Sequence, residues 1–273
     1  MKKCVLDLSV KSVKGLHERY VLITLTDSKP LPEMLPGQFV EILVEGSPTT
    51  FLRRPISINF VDRERNELWL LVATVGDGTR RLAQLKEGER LNCVLPLGNG
   101  FSLPEKVSSV HPAGLNASQS EKGYSVLLVG GGVGVAPLLY LGAILKEQGI
   151  EPTFLLGART KNDLLMLEEF RKYGRVLVTT EDGSEGEQGF VTNHSVLSAE
   201  RFDLIQCCGP TPMMKAVARY ACQQQIPCEV SLENLMACGL GACLCCVEKT
   251  TKGNMCVCKD GPVFNIEQLL WQN

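Results

Sequence analysis

Residues 126–137 read VLLVGGGVGVAP, and this run decides the architecture. Its first four residues have the length and composition of a buried strand. Gly130, Gly131, Gly132 and Gly134 then permit a tight turn that faces backbone N–H groups toward a nucleotide pyrophosphate. Pro137 suits the first turn of a helix, where its missing N–H costs little. The run departs from G-x-G-x-x-G, because Pro137 stands where the last glycine would fall in the frame Gly132-x-Gly134. The same glycines and Pro137 argue against a membrane span across 126–145, twenty residues that carry no charge.

Downstream, strand and helix patterns alternate. Strands are expected at 126–129, 153–156, 176–180, 204–208 and 228–231, and helices at 135–148, 163–172 and 213–224. Such alternation predicts a doubly wound, mostly parallel sheet. Cys208-Gly209-Pro210 ends one of these strands at the carboxyl edge, where ligands of such folds bind. Upstream, six short β-rich runs (5–13, 20–26, 39–44, 55–61, 68–75 and 90–95) and a short helix at 79–85 predict an antiparallel β-barrel. Residues 104–124 lose apolar periodicity and read as a linker. The expected class is α+β multidomain: a barrel at 1–103, an α/β domain at 125–232 and a small C-terminal segment at 233–273.

That last segment holds the chemistry. Twelve cysteines are present, and Cys238, Cys243, Cys245, Cys246, Cys256 and Cys258 crowd into 21 residues. A disulfide scaffold spreads its cysteines through a short secreted chain, whereas crowded thiols in a reducing compartment read as metal ligands. The spacing Cys238-x4-Cys243-x2-Cys246 with a distant fourth cysteine matches a [2Fe–2S] centre of plant-ferredoxin type, and zinc fits the x4 gap poorly. Cys258 is the expected fourth ligand, with Cys256 as the alternative and Cys245 as a bystander. The segment has too little apolar sequence for its own core and is expected to need the metal to fold.

Two shorter motifs lie in the barrel. Arg54-Pro55-Ile56-Ser57 has the form R-x-x-S, in which an arginine can pair with a pyrophosphate while the serine and nearby backbone bond a flavin ring. Gly76-Asp77-Gly78-Thr79 opens the short helix and can cradle a diphosphate. Each motif is weak alone. In this order, followed by GGGVGVAP and CGP, they resemble the ferredoxin-reductase superfamily. The runs RRPISI, GDGTRRL, SLENLMACGLGACLCCV and VCKDGPVF resemble, more narrowly, the family of class B dihydroorotate dehydrogenase electron transfer subunits.

The resemblance implies FAD on Arg54, Pro55, Ile56 and Ser57, on the backbone of Leu71, Val72 and Ala73, and on Gly78 and Thr79. It implies the [2Fe–2S] cluster on Cys238, Cys243, Cys246 and Cys258, and NAD as an exchangeable substrate. It further implies a partner: an FMN-containing catalytic subunit that oxidises dihydroorotate in pyrimidine synthesis, in a heterotetramer of two of each. The 104–123 segment looks longer than the family's connection, and the spacer from Cys246 to Cys258 looks shorter. Glu181 and Asp182 could accept from ribose hydroxyls and favour NAD, while Arg159 could do the reverse. Rival readings are a related reductase subunit with another partner, and a non-enzymatic iron–sulfur redox sensor.

Composition limits the rest. Lys plus Arg is 28 and Asp plus Glu is 30, so no basic excess favours nucleic acid. Lys11 and Lys14 interrupt the N-terminus before any signal-like apolar run, and the chain is expected to be soluble and cytoplasmic. His17, His111 and His194 are the only histidines, and none is assigned a role.

Overall fold

The computed structural model describes residues 2–104 and 123–271. The expected linker, 104–124, lies almost wholly outside the described residues.

The N-terminal strands are β1 (Cys4–His17), β2 (Tyr20–Thr26), β3 (Phe39–Ile42), β4 (Arg54–Asp62), β5 (Glu67–Ala73) and β6 (Arg90–Leu97), with helix α1 (Asp77–Leu82) between the last two. They close into an antiparallel barrel in the order β1-β2-β5-β4-β3-β6. Strand period sets its inside. On β3, Val40 and Ile42 join the barrel core, whereas Phe39 faces outward into a second core.

The α/β part contains β7 (Val126–Gly131), α2 (Ala136–Glu147), β8 (Thr153–Ala158), α3 (Leu167–Arg171), β9 (Arg175–Thr180), β10 (Glu187–Gln188), α4 (Val196–Ala199), β11 (Leu204–Cys208), α5 (Thr211–Gln224) and β12 (Cys228–Ser231). In the C-terminal segment lie β13 (Val247–Thr250), β14 (Gly253–Cys256), α6 (Val257–Asp260) and β15 (Val263–Asn265). The sheet order is β10-β9-β8-β7-β11-β12-β15, parallel except for β15. Strand order reverses about β7, which places a topological switch point between β7 and β11.

Two local expectations change. The helix expected at 163–172 is a 3₁₀ turn at Lys161–Asp163 followed by α3, because Leu164 is extended and Met166 adopts a positive φ of 56°. The helix expected from 135 begins as a 3₁₀ turn, Gly132–Val135, and becomes α-helical at Ala136, with Pro137 in its first turn. No helix among the described residues is long and apolar enough to cross a membrane.

The C-terminal segment joins a core already present. Cys246, Val257, Cys258, Phe264, Ile266 and Leu269 are buried with Phe39 and Leu97 of the barrel and with Val129, Ile205 and Val230 of the sheet. Asn99, just after β6, takes the carbonyl of Asp260 at 3.0 Å through its side chain. The N-terminal part also meets helix α2 directly. Asn59 Nδ2 donates to the Ala136 carbonyl at 2.9 Å, and the Tyr140 hydroxyl donates to the Met34 carbonyl at 3.3 Å.

Candidate functional site

The glycine turn after β7 and the Cys208-Gly209-Pro210 turn after β11 face each other at the switch point. Cys208 is in register with Gly130, so the two strands deliver their loops side by side. The loops pack backbone against backbone: a Cβ on residue 134 would lie 2.4 Å from Gly209 Cα and 2.6 Å from its nitrogen. A side chain cannot be accommodated there. Gly132 has open space around it but a φ of +56°, which favours glycine for conformational rather than packing reasons.

A cleft of about 660 Å³ opens over these loops. Gly131, Gly132, Gly134, Gly209 and Pro210 line its sheet side, and Ala73 and Val75 line its barrel side. Gly130 and Cys208 stand behind the wall as buried strand residues, and burial pushes the Cys208 thiol well up. Arg159 and Glu181 both line the cleft. Asp182 instead closes a local turn, accepting from the Ser184 amide at 3.0 Å and hydroxyl at 2.6 Å. Arg19, from the turn between β1 and β2, and Tyr20, which opens β2, also line the cleft, and Arg19 reaches Asp163 at 3.4 Å. They belong to no motif and were invisible as site residues in the sequence.

The two barrel motifs meet. Arg54 and Gly78 come so close that a Cβ on residue 78 would be 3.0 Å from Arg54 Nε. Thr79 closes the loop by accepting from the Gly76 amide and donating to the Gly76 carbonyl, both at 3.1 Å. Arg54 donates to the Arg53 carbonyl at 3.2 Å and forms no ion pair among the described residues. Its charge is therefore available to an anion. Neighbouring Arg53 is committed to the fold, donating to the carbonyls of Glu41 (3.3 Å) and Asn92 (3.0 Å). Ser57 pairs with Phe39 on β3, and Pro55 and Ile56 pair with Glu41 and Val40. Leu71 and Val72 are buried in β5, with Ala73 at the strand end beside the cleft. A carboxylate-free arginine packed on a glycine turn fits the pyrophosphate of a flavin dinucleotide.

The cysteine loop supplies the donors that an iron–sulfur centre needs. The amides of Leu240 and Ala242 approach Cys238 Sγ at 3.4 Å and that of Cys243 at 3.5 Å. Burial opposes ionisation of this thiol, but those three N–H groups outweigh it and bring Cys238 down to about 6. The Gly241 amide donates to Cys258 Sγ at 3.1 Å, and the Cys258 amide to Cys246 Sγ at 3.3 Å. Burial, with Cys246 alongside, pushes the Cys258 thiol up to about 12. Cys256 has the opposite polarity of contact, its Sγ lying 3.9 Å from the Gly241 carbonyl as a donor. Cys243 and Cys245 are exposed. No group of three or more His, Cys, Asp or Glu side chains among the described residues is arranged to hold a single metal ion. A binuclear cluster would take two thiolates at each iron and so does not require three at one ion.

His194 is buried, and its Nδ1 accepts the Val196 amide at 3.0 Å, a structural role. His17 lies in β1, and His111 lies outside the described residues.

Comparison with known proteins gives the following matches. Residues 233–270 match the model of the iron–sulfur cluster binding domain of dihydroorotate dehydrogenase B, and residues 128–219 match that of the oxidoreductase NAD-binding domain. The chain is 37% identical over 272 residues to the dihydroorotate dehydrogenase B (NAD(+)) electron transfer subunit of Bacillus velezensis, covering 98% of this chain and 99% of that one. The subunit of the same name from Shouchella clausii is 39% identical over 240 residues, 86% of each chain. Among solved structures, a chain of the NADH-dependent reduced ferredoxin–NADP oxidoreductase, described in work on flavin-based electron bifurcation, superposes with a TM-score of 0.82. It is 32% identical, covering 97% of this chain and 90% of that one. The ferredoxin reductase of carbazole 1,9a-dioxygenase has the same fold, with a TM-score of 0.65 at 20% identity over 83% of this chain and 68% of that one.

Proposed function

Because the chain belongs to the family of dihydroorotate dehydrogenase B (NAD(+)) electron transfer subunits, we propose that it passes electrons from a dihydroorotate-oxidising partner to NAD+ in de novo pyrimidine biosynthesis. The observation that carries this reading is the convergence of three sites: a barrel with an arginine on a glycine turn that forms no ion pair among the described residues, a switch-point cleft against that barrel, and a cysteine segment whose Cys246 and Cys258 are buried in a core shared with both.

The division of labour follows the three parts. Residues 1–103 hold FAD, residues 125–232 hold NAD(H), and residues 233–273 hold a [2Fe–2S] cluster. Arg54 pairs with the FAD pyrophosphate, Pro55, Ile56 and Ser57 and the backbone of Leu71, Val72 and Ala73 orient the flavin ring, and Gly78 and Thr79 cradle the phosphates. Gly131, Gly132, Gly134, Gly209 and Pro210 admit the nicotinamide nucleotide, with Gly130 and Cys208 shaping the strands behind them. Glu181 favours NAD by accepting from ribose hydroxyls. Cys238, Cys243, Cys246 and Cys258 ligate the cluster; the Gly241 amide aimed at Cys258 supports that residue over Cys256. When bound, the flavin supplies two-electron exchange with nicotinamide and the cluster supplies one-electron exchange with the partner. No side chain is needed as a general acid or base in such a relay.

The partner is an FMN-containing dihydroorotate dehydrogenase subunit, in a heterotetramer of two of each, and the complex works in the cytoplasm, where thiols stay reduced. The 32% likeness to a chain of the ferredoxin–NADP oxidoreductase favours, as a second reading, a subunit with another redox partner. One experiment separates them. The isolated, cofactor-loaded chain should reduce artificial dyes with NADH but leave dihydroorotate untouched; dihydroorotate-dependent NAD+ reduction should appear on adding the FMN subunit. Turnover of dihydroorotate by this chain alone would contradict the proposal, and failure of the FMN subunit to restore activity would favour the second reading.

A further inference from the structure

Glu41 is a buried acid to which the proposed relay gives no part. It stands on β3 and is 1% exposed, and neither carboxylate oxygen has a hydrogen-bond partner among the described residues. Strand alternation puts it on the outer face of the barrel with Phe39, while Val40 and Ile42 point inward. Its backbone pairs with Pro55, inside the R-x-x-S run. Its side chain rests under the cysteine loop: a Cβ on residue 239 would lie 2.7 Å from Glu41 Cγ and 3.0 Å from Oε1. Residue 239 is a glycine at φ +65°, next to Cys238, so the absence of a side chain there admits the carboxyl.

An unbonded, buried carboxyl is expensive to the fold, and an apolar side chain of similar volume would serve the packing better. No ion pair or hydrogen bond among the described residues compensates it. Arg53 uses its guanidinium on main-chain carbonyls, and Arg54 lies toward Gly78. Burial pushes the group up to about 7 against the opposing charge of Arg53; Cys238 adds to the rise and Arg54 opposes it. The acid therefore sits between the strand assigned to flavin and the loop assigned to the cluster.

We propose that Glu41 is a positioning residue of the electron relay: its carboxyl, fixed against the cysteine loop, holds down the reduction potential of the centre bound there. A negative charge at this place opposes the arrival of an electron and favours its departure. The inference rests on the reading of residues 233–273 as the cluster segment.

The test is a redox titration of the cofactor-loaded chain, with dithionite as reductant and mediator dyes, following the EPR signal of the one-electron-reduced centre. It is run at one alkaline pH for every variant, so that the acid is ionised. Glu41→Gln keeps the shape and removes the charge. It should raise the equilibrium constant for reduction about tenfold, a midpoint shift of about 59 mV upward, at unchanged iron and flavin content. Glu41→Asp keeps the charge and should move the midpoint less. An unchanged or lowered midpoint in the Gln variant would overturn the proposal. Loss of iron from that variant would do the same, since it would make Glu41 a structural support. Iron-free wild-type protein would overturn the cluster reading itself and this inference with it.

Discussion

Cys256 and Cys258 are two residues apart, yet their sulfurs meet opposite partners. A backbone N–H points at one and a carbonyl accepts from the other. Cys258→Ser should therefore abolish or strongly distort the reduced-cluster EPR signal, while Cys245→Ser should leave it intact; a damaging Cys256→Ser with a silent Cys258→Ser would reverse the assignment. For the flavin, Arg54→Ala removes a charge-assisted contact typically worth about 1.5–3 kcal/mol. FAD should dissociate at least tenfold more readily, as read by fluorescence of the released flavin. At this scale the sequence was legible where chemistry fixes spacing, as in Cys238-x4-Cys243-x2-Cys246. It was silent where tertiary packing does the work. Glu41 in GQFVEI reads as an ordinary strand residue, and only the loop from residue 239 that closes over it makes it unusual.

At the scale of elements, period and punctuation carried most of the information. The run VLLVGGGVGVAP announced strand, turn and helix because four glycines open backbone conformations that other residues rarely adopt, while the proline fixes its own φ and suits a helix start. The break at Met166 was not announced, since neither Leu164 nor Met166 is a breaker; the chain turns there where Leu165 is buried in the core. Strand β15 was equally hidden: three residues gain their strand character only by pairing with β12. The switch-point loops offer a sharp test. Gly134→Ala forces a Cβ to 2.4 Å from Gly209 Cα, and overpacking of this kind costs typically about 1–3 kcal/mol. The variant should raise the KM for NADH in dye reduction well above that of the wild type while FAD content holds. An unchanged KM would mean that the nucleotide does not use these loops.

For the molecule as a whole, acid tolerance follows from its carboxylates. Glu67 is buried on the outer face of the barrel, since Leu68, Leu70 and Val72 fill the inside; burial raises its value, but hydrogen bonds from Lys11 (2.5 Å) and Trp69 (3.0 Å) outweigh burial and hold it below the usual 4.5. A depressed native value means that the unfolded chain takes up the proton first, so this stabilisation is present above about 4.5 and lost as pH falls. Thermal melts should show Tm falling on acidification through that range, with a shallower fall in Glu67→Gln; an equally steep fall in the variant would assign the loss to other groups. The larger claim is that three ligand sites, built on one shared core, make a relay between a partner protein and NAD+. It is tested most directly by assembling the chain with the FMN subunit, once as wild type and once with Cys243→Ser, and measuring two rates on each complex. The account predicts that Cys243→Ser keeps NADH-dependent dye reduction and loses dihydroorotate-dependent NAD+ reduction; persistence of the second rate in a complex shown to lack iron would contradict it.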